Sequence, residues 1–242
     1  MVYFGDTARV PYGSKSPETI KKYAEEDTEF LIKKGAKIIV VACNTASALA
    51  GSHLKSKFKN IPIFEVVGPA VKKAVSVAKE KIGVIGTNAT INSKVYQREI
   101  AKRAKKIKVY AKACPLLVPL VEEGWVKRQE TQTILKTYLQ DLKKEKIDTL
   151  ILACTHYPIL LPQIRKIIGA NVTLINPAEL VAREIKEYLS ANKNFAQKLS
   201  KQNRQSFFAS DTPYKFRELS KICLGHKVAA KKINLEKFCH EN

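Results

Sequence analysis

Short runs of apolar, mostly β-branched residues recur along the chain and alternate with longer stretches in which apolar and charged positions follow a helical period. Strands buried on both faces read as continuous apolar runs, whereas amphipathic helices repeat about every 3.6 residues. The alternation therefore predicts an α/β protein with parallel sheets. The predicted strands span residues 2–4, 37–42, 61–67, 81–85, 107–111, 149–153 and 172–175.

The first long polar stretch carries recognisable helix boundaries. Ser16 suits an N-cap, because its hydroxyl can accept a hydrogen bond from a free backbone N–H group, and Pro17 suits the first helical position. Gly35 can end the helix by adopting a left-handed conformation. These residues predict a helix from Pro17 to Gly35.

Two of the predicted strands are followed by related sequences. Residues 38–45 read IIVVACNT and residues 149–156 read TLILACTH, so each places a cysteine just past a buried strand. Further along, IFEVVGPA at residues 63–70 corresponds to VTLINPA at residues 172–178. The chain thus contains two related halves, and we predict two pseudo-symmetric parallel-sheet α/β domains with an active site in the cleft between them. The predicted first domain comprises residues 1–67 and 178–242, and the second comprises residues 68–177.

The first half lacks a piece that the second half has. The second half begins with the strand at 81–85 and a helix before the strand at 107–111, whereas the first half begins at the counterpart of 107–111. A parallel sheet without one of its strands exposes unpaired backbone groups, which lowers stability. We therefore expect that Met1, the only methionine, is an internally assigned start and that the true start lies upstream.

Composition restricts the class of protein. The hydrophobic content of 45% is enough for a buried core, no apolar run reaches the roughly 18 residues of a membrane span, and the first residues contain no signal sequence. We expect a globular cytoplasmic protein without a membrane partner. The five cysteines form no dense pattern, and we expect them to be free thiols.

The formal charge of +21 raises the question of nucleic-acid binding, since lysine and arginine neutralise phosphates. The lysines are spread over nearly every predicted helix and no nucleic-acid motif accompanies them, so we expect no specific nucleic-acid binding. Cys239 with His240, and Cys154 with His156, could suggest a metal, but paired CxxC spacing is missing. We expect no metal.

Cys43 and Cys154 are the candidate catalytic residues. Ligands of open parallel sheets bind beyond the carboxyl ends of the strands, so thiols at two such ends can oppose each other across a cleft. Removal of the weakly acidic α-proton of an amino acid needs a base held close to it. A thiol whose pKa is brought near neutrality by adjacent donors can serve as that base, while the opposite thiol serves as the acid. Two such groups can invert a stereocentre.

Polar residues beside the cysteines supply donors for a small anionic substrate. Asn44, Thr45, Thr155 and His156 follow the two cysteines where the next helices are expected to begin, so backbone N–H groups also point toward an anion there. The loop at residues 11–13 (PYG) gives a rigid turn whose glycine allows close approach to a ligand. A small dicarboxylate fits this chemistry.

A packing role is the main competing interpretation of the cysteines. A single cysteine at a strand end is commonly a small buried apolar residue, and we interpret Cys114, Cys223 and Cys239 as packing or surface residues. Cys43 and Cys154 differ because they occupy corresponding positions, each followed by polar residues. A thiol hydrolase would need only one nucleophile and one histidine, which leaves the repetition unexplained.

Four segments resemble bacterial glutamate racemases. They are YFGDTARVPYG at residues 3–13, VACNTA at 41–46, the CPL and LVEEG strings within 114–124, and ACTHYP at 153–158. The resemblance covers nearly the whole chain, and FFASD at 207–211 is similar to the final strand of that family.

The resemblance implies interconversion of L- and D-glutamate without pyridoxal phosphate, metal or other cofactor, which supplies D-glutamate for peptidoglycan. It implies that Cys154 removes the proton from L-glutamate and Cys43 from D-glutamate, with His156 assisting Cys154. Glutamate is then the expected partner, and a homodimer is left open. The implied substrate-binding residues are Tyr12, Gly13, Asn44, Thr45, Thr155 and His156, and the implied auxiliary acid/base residues are Asp6, Glu122 and His156.

Two departures from the family leave alternatives open. The family begins with a strand ending in an Asp-Ser-Gly loop that supports the first cysteine, and the present sequence has no counterpart. Asn176 stands where the family commonly carries aspartate. The alternatives are an N-terminally truncated, non-catalytic remnant of the family, or a racemase of another small substrate such as aspartate or a hydantoin.

Overall fold

Helices and strands alternate along the chain in the computed structural model, which describes residues 1–200, 202, 204–211 and 213–235. The strands are β1 (Val2–Gly5), β2 (Ile39–Val41), β3 (Ile63–Glu65), β4 (Lys81–Gly86), β5 (Lys108–Ala113), β6 (Thr149–Ala153), β7 (Thr173–Ile175), β8 (Ser206–Ala209) and β9 (Lys231–Lys232). The helices are α1 (Pro17–Lys33), α2 (Asn44–Lys57), α3 (Val67–Val77), α4 (Asn88–Asn92), α5 (Val95–Arg103), α6 (Leu117–Glu122), α7 (Gln129–Lys144), α8 (Leu161–Ile168), α9 (Pro177–Ala191), α10 (Lys193–Gln197) and α11 (Pro213–Leu224). Short 3-10 helices span Tyr12–Ser14 and Tyr157–Leu160.

The structure confirms the α/β class and the seven strands predicted from apolar runs; β2, β3 and β7 are shorter than predicted, whereas β1, β4 and β5 extend further at their carboxyl ends. It also confirms the predicted start of α1: Ser16 accepts a hydrogen bond from the N–H group of Thr19 at 3.2 Å, and Pro17 is the first helical residue. The helix ends at Lys33, and Gly35 follows with a φ of 84°. The short strand β9 carried no recognisable pattern.

The second half forms one continuous sheet. Its parallel strands follow the order β5-β4-β6-β7, and helices cover both faces. One face packs Leu150 and Leu152 against helices α7 and α8, while the other packs Ile151 against α3 and α5. As a result every residue of β6 is buried.

The strands of the first half lie in two separate sheets. One has the order β1-β8-β9, and the other pairs β2 with β3, all in parallel. By the internal repeat, β1, β2 and β3 correspond to β5, β6 and β7. The strand β4, which joins β5 to β6, has no counterpart between β1 and β2 among the described residues. The split therefore lies where the described part of the first half lacks a strand and a helix that the second half has.

Two connections link the halves. Helix α3 follows β3 and packs on β6 and β7, and α9 follows β7 and packs back against α3 and β3. The chain thus changes from one half to the other near the predicted domain boundaries, whose limits stay a prediction. Within the described ranges, no helix is long and apolar enough to cross a membrane.

Candidate active site

Cys43 lies between the carboxyl end of β2 and the first turn of α2, where it occupies the N-cap position. Its partly buried side chain packs with Tyr12 and Ala46 in a small apolar cluster. Backbone N–H groups of Thr45 and Ala46 and the hydroxyl of Thr45 form hydrogen bonds to the sulfur. The free N–H groups at the start of a helix are favourable for an anion, so this environment can hold a thiolate.

Cys154 occupies the corresponding position after β6 and is almost fully buried. Its Sγ atom lies 3.8 Å from Nδ1 of His156, and Nε2 of the same imidazole lies 3.1 Å from Oε1 of Glu122. The Thr155 hydroxyl lies 3.4 Å from the imidazole Nδ1. The family resemblance implies that Glu122 and His156, 34 residues apart in the chain, serve the same site. In the structure these two side chains and Cys154 form one thiol–imidazole–carboxylate chain.

Burial governs the proton affinity of both thiols. It raises the pKa of Cys154 to about 12 and also raises that of Cys43, although hydrogen bonds from neighbouring N–H groups and hydroxyls act in the opposite direction. The expectation of thiol pKa values near neutrality is therefore not met. Negative charge on Cys43 further raises the pKa of Cys154, so the two thiols disfavour simultaneous ionisation.

The loop before α1 carries Asp6, Tyr12 and Gly13, and Tyr12 packs with Cys43. The Asp6 carboxylate accepts hydrogen bonds from Arg9 Nε at 2.6 Å, from the Ser210 hydroxyl at 2.9 Å and from the Tyr12 hydroxyl. These partners indicate that Asp6 fixes the loop, and its implied acid/base role stays a prediction. A Cβ atom on Gly13 would lie 2.5 Å from Cβ of Thr87, so the close packing of this loop on the second half requires glycine.

Three threonine hydroxyls connect the halves next to this loop. Oγ1 of Thr45 lies 2.9 Å from that of Thr87 and 3.1 Å from that of Thr90, and the latter two are 3.0 Å apart. Thr87 directly follows β4, at the carboxyl end of the sheet in which β6 precedes Cys154. Sequence reasoning missed Thr87 and Thr90, although the rule that ligands bind beyond strand ends applies to Thr87 as well.

A second polar contact between the halves fixes Asn44. The buried hydroxyl of Tyr96 on α5 donates to Oδ1 of Asn44 at 2.6 Å. Because Oδ1 is engaged, the Nδ2 atom of the amide remains a donor for other groups. The structure therefore brings Tyr12, Gly13, Asn44 and Thr45 to Cys43, and Thr155, His156 and Glu122 to Cys154.

The remaining singled-out residues lie apart from this chemistry. Asn176 caps α9 by accepting a hydrogen bond from the N–H group of Ala178 at 3.2 Å, a role that aspartate could also fill. Cys114 is buried in the core of the second half, in agreement with a packing role. Cys239 lies outside the described residues, and so does the side chain of Cys223. Over the described ranges, no group of three or more His, Cys, Asp or Glu side chains could hold a metal ion.

Two α/β halves, each with a cysteine directly after a parallel strand, are the features of an amino-acid racemase, which is an isomerase. A sequence model of the Asp/Glu/hydantoin racemase family matches residues 1–185. The chain belongs to this family.

Individual relatives agree with this assignment over both halves. The glutamate racemase of Chlorobaculum tepidum is 46% identical over 226 residues, which cover 93% of this chain and 83% of that protein. The crystal structure of Francisella tularensis glutamate racemase in complex with D-glutamate superposes with a TM-score of 0.90 at 36% identity, covering 98% of this chain and 88% of that one. The glutamate racemase of Aquifex pyrophilus is 41% identical with a TM-score of 0.78, covering 95% and 86% of the two chains.

Proposed function

We propose that the chain interconverts L- and D-glutamate by proton transfer between Cys43 and Cys154, without a cofactor. The observation that carries the proposal is the placement of the two thiols at corresponding strand ends, each with its own hydrogen-bond donors. The similarity to glutamate racemases over more than nine-tenths of the chain supports glutamate as the substrate.

Racemisation requires one thiolate and one thiol at the start of each turnover. For L-glutamate, the thiolate of Cys154 takes the α-proton and the thiol of Cys43 gives its proton to the opposite face of the planar carbanion. For D-glutamate, the two cysteines exchange roles. The electrostatic coupling between the thiols favours this singly ionised pair, because a charge on Cys43 raises the pKa of Cys154.

His156 and Glu122 prepare Cys154 for its role as a base. Nδ1 of His156 is in position to accept the thiol proton, and the Glu122 carboxylate next to Nε2 then stabilises the imidazolium. On the other side, N–H groups at the start of α2 stabilise the thiolate of Cys43.

The substrate is held by the polar groups between the thiols. Asn44, Thr45 and Thr155 offer an amide and hydroxyls to the glutamate carboxylates, with Tyr12 and Gly13 forming the wall beside Cys43. The net charge of +21 favours the approach of a dicarboxylate. In a bacterial cytoplasm the product D-glutamate would enter peptidoglycan synthesis, as the family resemblance implies. A homodimer stays a prediction.

Deuterium incorporation tests this function. The 242-residue chain is incubated in deuterated water with L-glutamate, D-glutamate or aspartate, and the α-proton signal and the chirality are followed together. We expect α-deuterated glutamate of the opposite configuration from either enantiomer. Incorporation from neither enantiomer would contradict the proposal and favour a non-catalytic remnant, whereas faster turnover of aspartate would reassign the substrate.

A further inference from the structure

Asp27 on α1 belongs to a charged cluster beneath the loop that carries Tyr12. Its Oδ1 atom accepts a hydrogen bond from Arg9 Nη2 at 2.8 Å, and its Oδ2 atom lies 3.0 Å from the Tyr12 hydroxyl. Arg9 also pairs with Asp6 and Glu26, so three carboxyl groups surround one guanidinium. Lys22 Nζ lies 4.0 Å from Glu26 on the exposed side, so with all three carboxyl groups ionised the cluster would still carry one uncompensated negative charge in a partly buried place, which is unfavourable.

The Tyr12 hydroxyl identifies where a proton must reside. It lies between an oxygen of Asp6 and an oxygen of Asp27, but it has one proton and can donate to only one of them. The other carboxyl must supply its own proton to form the second hydrogen bond.

Asp27 is the better candidate of the two carboxyl groups. Asp6 accepts from Arg9, Tyr12 and Ser210, and three donors stabilise a carboxylate. Asp27 accepts from Arg9 alone once the tyrosine proton is assigned to Asp6. We propose that Asp27 carries a proton at neutral pH and, as an uncharged carboxyl, donates to Tyr12 and so positions the loop beside Cys43.

Electrostatic interactions also favour a proton on Asp27. Burial and the negative charge of Asp6 raise the pKa of Asp27 to about 8, against the lowering effect of Arg9, although 22% of the side chain remains exposed. The charged and titratable groups that face Asp27 are Asp6, Arg9 and Tyr12 from the loop, Glu26 from its own helix and Cys43 from the end of β2.

The proton matters for Cys43. A negative charge on Asp27 raises the pKa of the Cys43 thiol, so a neutral Asp27 keeps the thiolate of Cys43 more accessible. This consequence rests on the proposed function, in which Cys43 ionises during turnover. The protonation of Asp27 itself does not depend on that function.

Carboxyl NMR tests the protonation directly. The full chain is labelled with 13C at aspartate carboxyls and titrated beside Asp27→Asn, which identifies the Asp27 signal by its loss. We expect that signal to titrate near pH 8, far above the ordinary aspartate value of about 3.9. A midpoint near 4 would overturn the proposal, whether or not the chain racemises glutamate.

Variants test the positioning role. We expect Asp27→Ala to raise KM roughly tenfold. Asparagine can accept from Arg9 and donate to Tyr12, as the protonated carboxyl does, so Asp27→Asn should keep KM close to that of the unmodified chain. Glu26→Gln, which alters the outer partner of Arg9, is the matched control and should shift KM less than Asp27→Ala. Equal KM values for the asparagine and alanine variants would contradict the positioning role.

Site-resolved alkylation tests the link to Cys43. With mass-spectrometric readout, Asp27→Asn should lower the pH midpoint of Cys43 alkylation by on the order of half a unit, because the substitution removes the negative charge that Asp27 gains above about pH 8. The midpoint for Cys154 should move less. An unchanged Cys43 midpoint would break the link between the two residues.

Thermal stability gives an independent check. The folded-state pKa of Asp27 lies above the unfolded value, so the folded protein binds more protons between about pH 4 and 8 and loses stability as pH rises through that window. Asp27→Asn has no such group, so its Tm relative to the unmodified chain should rise by on the order of 10 °C from pH 5 to pH 8. A Tm difference that falls over this range would contradict a raised pKa.

Discussion

The two cysteine strands have similar sequences and different surroundings. In β6, Ile151 is 0% exposed, because β4 and β7 flank the strand and α3 and α5 cover it. At the corresponding position of β2, Val40 is 41% exposed, since β2 pairs with β3 and the first half has no described counterpart of α5. The comparison shows that an apolar run predicts a strand, whereas its neighbours determine how much that strand contributes to the core.

The surroundings of the two thiols differ in the same way. Cys154 ends a fully buried strand and is joined to His156 and Glu122. Cys43 ends a half-covered strand and depends on backbone N–H groups and on the cluster around Asp27. If racemisation needs both thiols, the two halves must achieve the same chemistry with unlike partners.

The largest expected effect comes from removing either thiol. Cys43→Ala and Cys154→Ala should each lower racemisation by about 10³-fold, since each removes a general acid or base. The remaining thiol can still exchange a proton on its own side, so Cys43→Ala should incorporate deuterium only into L-glutamate and Cys154→Ala only into D-glutamate. The matched control Cys114→Ala should leave the rate of racemisation unchanged.

Chirality-resolved NMR separates these outcomes. If one cysteine variant racemised glutamate at the rate of the unmodified chain, the thiol in question would not be part of the mechanism. If both variants exchanged the same enantiomer, the assignment of one cysteine to each face would be wrong.

The next effect concerns the stability of the two strands. Ile151→Ala should lower the free energy of unfolding by about 2–5 kcal/mol, because it leaves a cavity between the sheet and two helices. Val40→Ala should lower it by less than about 1 kcal/mol, because the side chain already contacts water. Urea denaturation measures both, and equal losses would show that β2 is as well covered as β6.

A smaller loss of activity is expected when the imidazole of His156 is replaced. His156→Asn removes the group that accepts the Cys154 proton and should lower kcat/KM by about 10- to 100-fold. Because the equilibrium constant between enantiomers is one, the decrease must be the same for L- and D-glutamate. Glu122→Gln should have a smaller effect in the same direction, and Glu123→Gln on the adjacent residue serves as the control. A larger loss in Glu123→Gln than in Glu122→Gln would refute the chain from Glu122 to Cys154.

Local patterns account for what the sequence predicted. Apolar runs and the residues around Pro17 and Gly35 are properties of adjacent positions, and the repeat placed Cys43 and Cys154 at matching strand ends. The pairing of β1 with β8 joins segments about 200 residues apart, which no local pattern reveals. The proton on Asp27 likewise depends on how Arg9 and Tyr12 meet it in the folded chain. Burial also reversed the expected direction of the thiol pKa shifts, because solvent exclusion is a property of the whole fold.

The smallest expected effect is on the free energy of unfolding when the hydroxyl of one of two buried tyrosines is removed. Tyr96 donates to Oδ1 of Asn44 beside Cys43, and Tyr157 donates to the carbonyl oxygen of Cys114 at 2.9 Å within the second half. Changing either to phenylalanine removes one buried hydrogen bond and should lower the free energy of unfolding by about 1–3 kcal/mol, since an acceptor loses its partner.

Kinetics distinguish the two changes. Only Tyr96→Phe frees the Asn44 amide to rotate, so it should also raise KM for glutamate several-fold while kcat changes less, whereas Tyr157→Phe should leave KM nearly unchanged. Steady-state assays at saturating and limiting glutamate measure this difference. An equal KM in the two variants would mean that Tyr96 stabilises the contact between the halves without orienting Asn44.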